Sequence, residues 1–484
     1  MILDGVRVLD PAAPTGPAVL VIEGGRVVSV TAAERPGPLD GLVVTPAFVD
    51  AHVHATATGL LADGLDLTGS PSPRTLLDAV AARAAARPGS LVWGHGWQEQ
   101  DWDGLPSRAE LDRAAAGCPV YLSRVDVHSA LVSSALLDRA PGAAGAVGFT
   151  DGPLIADAHH LARRAALAAV DTTTRDAAQR AFLRQAASRG VGVVHECAGP
   201  DISSADDLAA LIAARPAGPR VVPYWGEAVT SVDEARDLIA ATGAHGLAGD
   251  LFVDGSLGSR TAALREPYAD APGCGHPYLD AAQVAAHVAA CDAAGVQAGF
   301  HVIGDAAADT LVAGLKAAGP LRMTHRVEHL EMVDAAQMAT LAALGVVASV
   351  QPLFDAWWGG KSGMYAARLG GARARPMNPF AALHAAGVTL ALGSDTPVTP
   401  VDPWAAVRAA VGHRTPGSGL AAATAMAAHT VGGHRAAGDL SPLAGRLVPG
   451  APASYAVWDG RRCVRTILDG FSIHGAPAVA DFAP

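Results

Sequence analysis

The sequence predicts an α/β protein in which a (β/α)8 TIM barrel is joined to a small composite β-sandwich domain formed by both termini. Two patterns lead to this prediction. The ends of the chain are rich in short β-type runs, whereas the middle alternates apolar runs of strand length with Ala-rich stretches that favour helix. Such alternation indicates a parallel sheet covered by helices. The apolar runs number eight, as a closed barrel requires.

The two ends of the chain are predicted to form one β domain. Residues 1–47 contain the runs "VRVLD", "AVLVIEGGRVVSV" and "GLVVTP", and the second of these indicates a hairpin around Gly24 and Gly25. Residues 438–484 contain similar runs, with strands expected at 455–458 and 464–468. Because both ends differ from the middle in the same way, they are assigned to a shared domain, and 48–437 is assigned to the barrel.

The predicted barrel strands end in polar residues. The first strand is the apolar run before His52, and the other seven are "VYLSRVD", "VGVVHE", "LFVDG", "AGFHVIGD", "RVEHLE", "VVASVQP" and "LALGSD". In a TIM barrel the carboxyl ends of the strands form the catalytic face. An insertion is predicted at about 60–119, since this stretch is long for one crossover, and its "VWGHGWQEQDW" segment is expected to cover the substrate.

Composition and charge exclude several classes of partner. The formal net charge is -11, with no basic patch to hold nucleic acid. The five cysteines are scattered without a CxxC pair, which argues against a disulfide framework or zinc finger and favours the cytoplasm. No signal-peptide pattern and no run of about 18 apolar residues appears, so membrane association is not expected. The expected partner is a small-molecule substrate, and a homodimer is compatible with the sequence.

A metal site is predicted where His52 and His54 end the first strand. Alternate residues of a strand point to the same side, so both imidazoles can face the barrel interior. Taken alone, His-x-His is equally compatible with two packed or surface histidines. However, His301, His329 and Asp395 each end a later apolar run, and histidine with carboxylate is the usual ligand set for Zn²⁺ or a similar ion. One or two divalent ions, with zinc preferred, are therefore expected.

Eight segments together resemble the amidohydrolase superfamily, specifically its amidohydrolase 3 (YtcJ-like) branch. They are "TPAFVDAHVH", "VYLSRVDVHSALVSSALL", "LFVDGSLGSRTAAL", "FHVIGDAAAD", "HRVEHLEMV", "VVASVQPLF", "LALGSDTPVTPVDPWAAV" and "GRLVPGAPASYAVWD". The resemblance runs to about Gly470 and implies a metal-dependent barrel with a composite β-sandwich domain. It also implies hydrolysis of amide or other non-peptide C–N bonds, without fixing a substrate.

The resemblance also implies roles for individual residues. His52 and His54 would be metal ligands from the first strand, and His301 and His329 ligands from the fifth and sixth. Asp395, the carboxylate of the eighth strand, would take a proton from the attacking water and pass it to the leaving group. Asp395 and His329 are the predicted catalytic residues. In a rival interpretation, a mononuclear deaminase of a cyclic amidine, His329 would contact the reacting water or substrate more than a metal.

One departure from the family pattern concerns a lysine. Relatives with two metals often bridge them with a carboxylated lysine in a pattern resembling Lys-Leu-Phe-x-Asp-Gly, where this chain reads "GDLFVDGS" with Asp250. The two lysines, Lys316 and Lys361, are poorly placed to substitute. The site is therefore either mononuclear or bridged by another carboxylate. Glu196 is ranked above Asp250 because Glu196 ends a strand, although a salt bridge with an arginine is an equal alternative for it.

Substrate contacts are predicted for a further set of residues, each of which could equally serve in packing: Trp97, Asp126, His128, Arg260 and Trp357. A metal-free barrel used for binding or scaffolding is the rival from another class. Loss of ligands would indicate it, but every expected histidine and Asp395 are present.

Overall fold

The computed structural model describes residues 1–100, 102–214 and 218–475. The end of the predicted C-terminal β segment, 476–484, lies outside the described residues. The segment boundaries at 47/48 and 437/438 stay predictions.

The centre of the molecule is the predicted barrel. Eight parallel strands form one sheet in which sequential strands are neighbours, and a parallel bridge between Val53 and Thr396 joins the last strand to the first. The strands are Phe48–Val53, Val191–Ala198, Arg220–Trp225, Gly246–Leu247, Gln297–Val302, Arg326–His329, Val347–Val350 and Thr389–Leu392. Most are buried along their whole length, because the barrel interior lies on one side and the surrounding helices on the other. The α/β-barrel prediction is confirmed.

Two of the predicted barrel strands were wrong. Val120–Arg124, within "VYLSRVD", pairs with Val92–Trp97 and Ser129–Val132 in a separate sheet, because a local hairpin partner is available to it. The third barrel strand is instead Arg220–Trp225, which the sequence interpretation missed. The run "LFVDG" follows the fourth strand, Gly246–Leu247, rather than forming it. As a result, Asp250 lies beyond the carboxyl end of a strand, on the catalytic face.

An inserted sheet of five strands lies in the crossover between the first two barrel strands. Its strands are Leu65–Asp66, Val92–Trp97, Val120–Arg124, Ser129–Val132 and Leu154–Ile155. The sheet therefore extends well past residue 119, where the insertion was expected to end. It has an apolar core of its own around Trp97 and Leu122, so it can form a stable wall beside the barrel mouth.

Both termini build a seven-stranded sheet. Its strands are Ile2–Val8, Pro17–Glu23, Arg26–Ala32, Val43–Pro46, Tyr455–Asp459, Arg462–Leu468 and Phe471–His474. The N-terminal and C-terminal groups meet where Val43–Pro46 pairs antiparallel with Tyr455–Asp459. The sheet curls, since Val27 on its far strand donates a backbone hydrogen bond to Ala451 at 2.9 Å. The predicted composite β domain is confirmed.

Helices connect these strands. They span Ala55–Leu60, Pro73–Ala86, Arg108–Ala115, Ser134–Leu137, Ala156–Ala168, Thr172–Ser188, Ala205–Ala213, Val232–Thr242, Ala281–Ala294, Asp305–Ala317, Ala335–Ala343, Pro352–Trp358, Met364–Leu369, Gly371–Ala374, Phe380–Ala385, Pro403–Val411, Ala422–Ala428 and Val431–Ala436. Within the described ranges, none of them is long and apolar enough to cross a membrane.

The last helix packs very closely on the first barrel strand at Gly433. A Cβ atom added to Gly433 would lie 2.4 Å from the Cβ atom of Val49, which is fully buried. We expect Gly433→Ala to destabilise the protein by about 1–3 kcal/mol, because overpacking forces the helix away from the strand. Gly371→Ala is the control, since an added Cβ there meets no atom within 4 Å. Urea unfolding midpoints measure both, and equal midpoints would contradict this packing.

Candidate metal centre

Polar side chains from four barrel strands or the loops that follow them converge at the carboxyl face. His52 lies in the first strand and His54 directly follows it, Asp250 follows the fourth, His329 ends the sixth, and Asp395 follows the eighth. His54 Nε2 lies 3.1 Å from Asp395 Oδ1 and 3.2 Å from Asp250 Oδ2. All five side chains are buried. The structure therefore brings together four of the predicted site residues with Asp250.

Asp250 faces different histidines with its two oxygens. Oδ2 is turned to His54, whereas Oδ1 lies 3.4 Å from His52 Nε2 and 3.8 Å from His329 Nε2. Asp250 thus contacts the histidines of the first strand and the histidine that ends the sixth, and a carboxylate in such a place can link two positions in the site. Its position in space is therefore compatible with the bridging alternative that the sequence left open for Asp250.

The donor atoms of this cluster fit a divalent cation. In the described part of the chain, His52 Nε2, Asp250 Oδ1 and Asp395 Oδ1 are buried without a hydrogen-bond partner. Buried polar atoms left unpaired are costly, and imidazole nitrogen with carboxylate oxygen is a donor set typical of zinc sites. In the described residues, three sets of ligand atoms lie within 4.8 Å of one another. One, His52, Cys197 and Glu328, contains a carboxylate that is paired with Arg326, and the two convergent sets are His52, Asp250 and His329, and His52, His54 and Asp395.

The charge of the cluster also favours a cation. Burial alone would lower the pKa of His54, but its contacts with Asp250 and Asp395 raise it to about 9. A positive charge is therefore strongly favoured between the two carboxylates. Either a proton on the imidazole or a metal ion can supply that charge, and a metal must displace the proton to bind.

A buried ion pair orients His52. His52 Nδ1 donates to Glu328 Oε2 at 2.9 Å, which leaves Nε2 directed at Asp250 and Asp395. Arg326 donates to both oxygens of Glu328, at 2.6 and 2.9 Å, and its guanidinium lies 4.4 Å from the centre of the Tyr224 ring. Although burial acts to raise the pKa of Glu328, Arg326 and His52 hold it at about 2. Such outer partners fix the tautomer and orientation of a metal ligand.

His329 and His301 lie side by side, with ring centroids 4.4 Å apart. His329 Nδ1 donates to Gln351 Oε1 at 2.8 Å, so Nε2 is free to face Asp250. His301 belongs to neither convergent set in the described residues, and its Nδ1 is buried without a hydrogen-bond partner. Its assignment as a ligand stays a prediction that rests on the family resemblance.

Glu196 was the preferred bridging residue, and its position does not support that choice. Its Oε2 accepts a hydrogen bond from the backbone nitrogen of Ala55 at 2.8 Å, and burial raises its pKa to about 7. It is absent from the convergent sets of the described chain, whereas Asp250 is in one. Glu196 was ranked first because Asp250 was interpreted as preceding a strand, but the chain turns at Gly249 (φ 82°) after the fourth strand has ended. The identity of a bridging residue stays a prediction.

A cavity opens beside Asp395 and His329, and only part of the predicted substrate set lines it. Asp126 and His128 do so, although Asp126 already accepts hydrogen bonds from Ser256 and Ser259. The three other residues do not line this cavity, and their substrate contacts stay predictions. Trp97 lies in the core of the inserted sheet and donates to Leu122, Arg260 pairs with Asp270, and Trp357 is 47% exposed.

The sequence interpretation missed several residues at this site. Glu328 and Arg326 were recognisable in principle, because charged residues two apart in a buried strand share a face and indicate an internal ion pair. Glu331 and Tyr365 also line the cavity, and burial raises the pKa of Glu331 to about 7. Tyr365 lies in a helix distant in sequence from every strand end, so no local pattern signalled it.

Comparison with known proteins is consistent with this architecture. Residues 39–474 match the sequence pattern of the Amidohydrolase family. Protein LONG AFTER FAR-RED 3 of Arabidopsis thaliana is 28% identical over 472 residues, covering 87% of this chain and 79% of that protein. Putative amidohydrolase YtcJ of Bacillus subtilis (strain 168) is 27% identical over 399 residues, with coverages of 77% and 74%. An uncharacterized metal-dependent hydrolase from Pyrococcus furiosus has a TM-score of 0.72 at 25% identity, covering 95% of this chain and 98% of that chain.

The buried ion pair behind His52 should dominate stability at this end of the barrel. We expect Arg326→Met to destabilise the protein by about 3–5 kcal/mol, because Glu328 is left as an uncompensated buried charge. The double variant Arg326→Met/Glu328→Gln should be less destabilised, since it removes both charges. Arg322→Met is the control, because the Arg322 side chain is 71% exposed and such pairs contribute about 0–1 kcal/mol. Free energies of unfolding in urea test this, and equal losses for Arg326→Met and Arg322→Met would contradict it.

Proposed function

The chain belongs to the amidohydrolase family, and we propose that it is a metal-dependent hydrolase that cleaves a non-peptide carbon–nitrogen bond of amide type in a small molecule. One observation carries this proposal: buried ligand atoms of His52, Asp250 and Asp395, which face one another and His54 without well-aligned hydrogen bonds, converge beside a cavity. Without a cation this arrangement would be costly to maintain. The same cost argues against a metal-free scaffold.

The proposed metal ligands are His52, His54 and Asp395 on one side, His329 and His301 on the other, and Asp250 between them. Nitrogen and carboxylate ligands favour zinc among the common divalent ions. The two oxygens of Asp250 face different histidines, which supports two ions rather than one. When bound, the metal lowers the pKa of a water molecule towards about 7 and polarises the carbonyl of the substrate.

Asp395 is suited to move the proton. Its Oδ1 lies 3.1 Å from His54 Nε2, and its side chain lines the cavity, so it contacts both the ligand cluster and the space for substrate. In the proposed reaction the Asp395 carboxylate accepts a proton from the attacking water and returns it to the leaving nitrogen, so that amide and water become acid and amine. His329, which also lines the cavity, orients the reacting groups from the opposite strand.

A mononuclear deaminase of a cyclic amidine is the second candidate. It is favoured by one observation, that His301 stands outside the convergent ligand sets of the described residues. The second metal position would then have too few ligands. In that case His329 would contact the reacting water or substrate.

The proposed location of the protein is the cytoplasm. A reducing compartment suits its five free cysteines, four of which are buried.

Metal stoichiometry should distinguish the two candidate bridges. We expect two ions per chain in the wild type, loss of at least one in Asp250→Asn, and wild-type content in Glu196→Gln, since only Asp250 faces both groups of histidines. Both substitutions keep the size of the side chain while removing its charge. Elemental analysis measures the content, and carbonate-depleted buffer should leave it unchanged because aspartate needs no carboxylation. A single ion in the wild type, retained in both variants, would contradict the bridge.

Substrate panels should separate the two proposed reactions. We expect turnover of N-acyl or N-formyl amines by the metal-loaded protein, and a decrease in kcat of about 10²–10⁴-fold in Asp395→Asn, because the proton acceptor is lost. Release of amine and carboxylic acid is the measurement, with Asp309→Asn, remote from the cavity, as control. Turnover confined to a panel of cyclic amidines, with release of ammonia, would transfer the assignment to the deaminase.

A further inference from the structure

One group of polar residues at the cavity has no role in the chemistry proposed above. Glu331, Tyr365 and Asn378 are each at most 3% exposed. The Glu331 carboxylate lies within hydrogen-bonding reach of the Tyr365 and Asn378 side chains, although in the described chain its Oε2 makes no well-aligned hydrogen bond. The backbones of Asn378 and Glu331 are also joined, since the Asn378 nitrogen donates to the Glu331 carbonyl at 2.9 Å. Glu331 and Tyr365 line the cavity, so this polar group can contact a ligand there.

The position of Glu331 relative to the ligand cluster is set by the backbone. His329 and Leu330 both adopt positive φ, 69° and 49°, which is strained for side chains other than glycine. The chain is held on either side of Glu331, because Leu330 donates to the Val302 carbonyl at 2.8 Å and Met332 to the Ile303 carbonyl at 3.1 Å. Glu331 therefore has a fixed place two residues beyond His329, lining the same cavity.

No arginine compensates Glu331. The two arginines nearest this part of the fold are already paired: Arg124 with Glu99 and Asp126, and Arg368 with Glu99 and Asp270. No ion pair within 4.0 Å joins Glu331 to a basic side chain in the described residues. A buried carboxylate without a basic partner is costly, so a cationic donor brought by a ligand would be bound favourably.

Part of the cavity wall is apolar, although Asp126, His128 and Asp395 line the cavity as well. Phe354, Trp358, Met364, Ile303 and Val398 line it together with Glu331 and Tyr365. Phe354 and Trp358 are in contact, with ring centroids 5.1 Å apart, and both are almost fully buried. A ligand that enters here would meet an aromatic wall beside a carboxylate, a pairing that favours an apolar or aromatic body with a polar head that donates hydrogen bonds.

We propose that Glu331 and Tyr365 form a specificity subsite that binds a cationic N–H group of the substrate, an ammonium or amidinium, while the aromatic wall holds its apolar body. The inference rests on the proposed function in taking this cavity as the substrate cavity. Glu331 Oε2 accepts from the N–H group, and Tyr365 Oη completes its hydrogen bonding. The preferred substrate is accordingly an amide that also carries an amino or amidino group.

Binding of simple probes tests the subsite independently of hydrolysis. Benzylamine carries the expected cation, benzyl alcohol is its neutral counterpart, and benzyltrimethylammonium is a cation without N–H; none of them contains an amide. For the metal-loaded protein at neutral pH, calorimetry should find benzylamine bound most tightly. Glu331→Gln should raise its Kd about 10- to 100-fold, as expected for a charge-assisted hydrogen bond. Tyr365→Phe should raise it less, and the exposed control Glu266→Gln should leave it unchanged.

Three results would overturn the proposal. The first is equal affinity for benzylamine and benzyl alcohol. The second is benzylamine binding that persists in Glu331→Gln, because this would indicate that the amine binds the metal rather than Glu331. The third is a loss of stability in Glu331→Gln without loss of binding, which would mark a structural residue. The proposal expects stability to change little, because Gln keeps the size of the side chain and can keep its contacts with Tyr365 and Asn378.

Kinetics connect the subsite to the reaction. Among hydrolysed amides, those with an amino group should have a lower KM than their counterparts without it, and Glu331→Gln should remove this difference while largely preserving kcat. Equal KM values in the wild type would contradict the subsite. If no amide is hydrolysed while benzylamine binding still depends on Glu331, the proposed function is wrong and the subsite stands.

Discussion

The structure depends on one electrostatic constraint. The negative charges of the carboxylates buried at the barrel mouth must be balanced by groups other than water. Asp250, Asp395 and Glu328 all lie within reach of the His52 ring, and all are buried. Glu328 is compensated by Arg326 within the chain itself. Asp250 and Asp395 have histidines and unpartnered oxygens instead, which leaves their compensation to a proton or an exchangeable cation. This division separates a structural ion pair from a site able to bind metal.

The separation of the ion pair from the ligand cluster also explains how the ligand side chains can be rigid while the cavity walls remain variable. His52 is held through Nδ1 by Glu328 and His329 through Nδ1 by Gln351, so the nitrogens that face Asp250 have fixed directions. The barrel strands thus determine the ligand geometry. The cavity walls come from segments that follow the strands and from the helix Met364–Leu369. Substrate preference can therefore change through these segments without altering the ligand cluster.

Much of the candidate site was predictable because it depends on strand ends. His52, His54, His329 and Asp395 were identified as polar residues that close apolar runs, and parallel strands bring their carboxyl ends to one face whatever the connections between them. Two of the predicted barrel strands were wrong because of features close to them in the sequence. Val120–Arg124 is as apolar as a barrel strand but pairs with its own hairpin, and Gly246–Leu247 is too short to stand out beside "LFVDG".

The sequence by itself determined the fold class, the composite β domain and the identity of most candidate ligands, since period-two alternation and strand-helix alternation are local properties of the chain. Only the tertiary structure decided that Asp250 rather than Glu196 faces both groups of histidines, because this depends on where the chain turns after a two-residue strand. It also decided that Glu331 and Tyr365 share a cavity with Asp395 while Trp97 is packed away. Such contacts join segments far apart in the chain, and the number of residues between two such segments does not predict their distance in space.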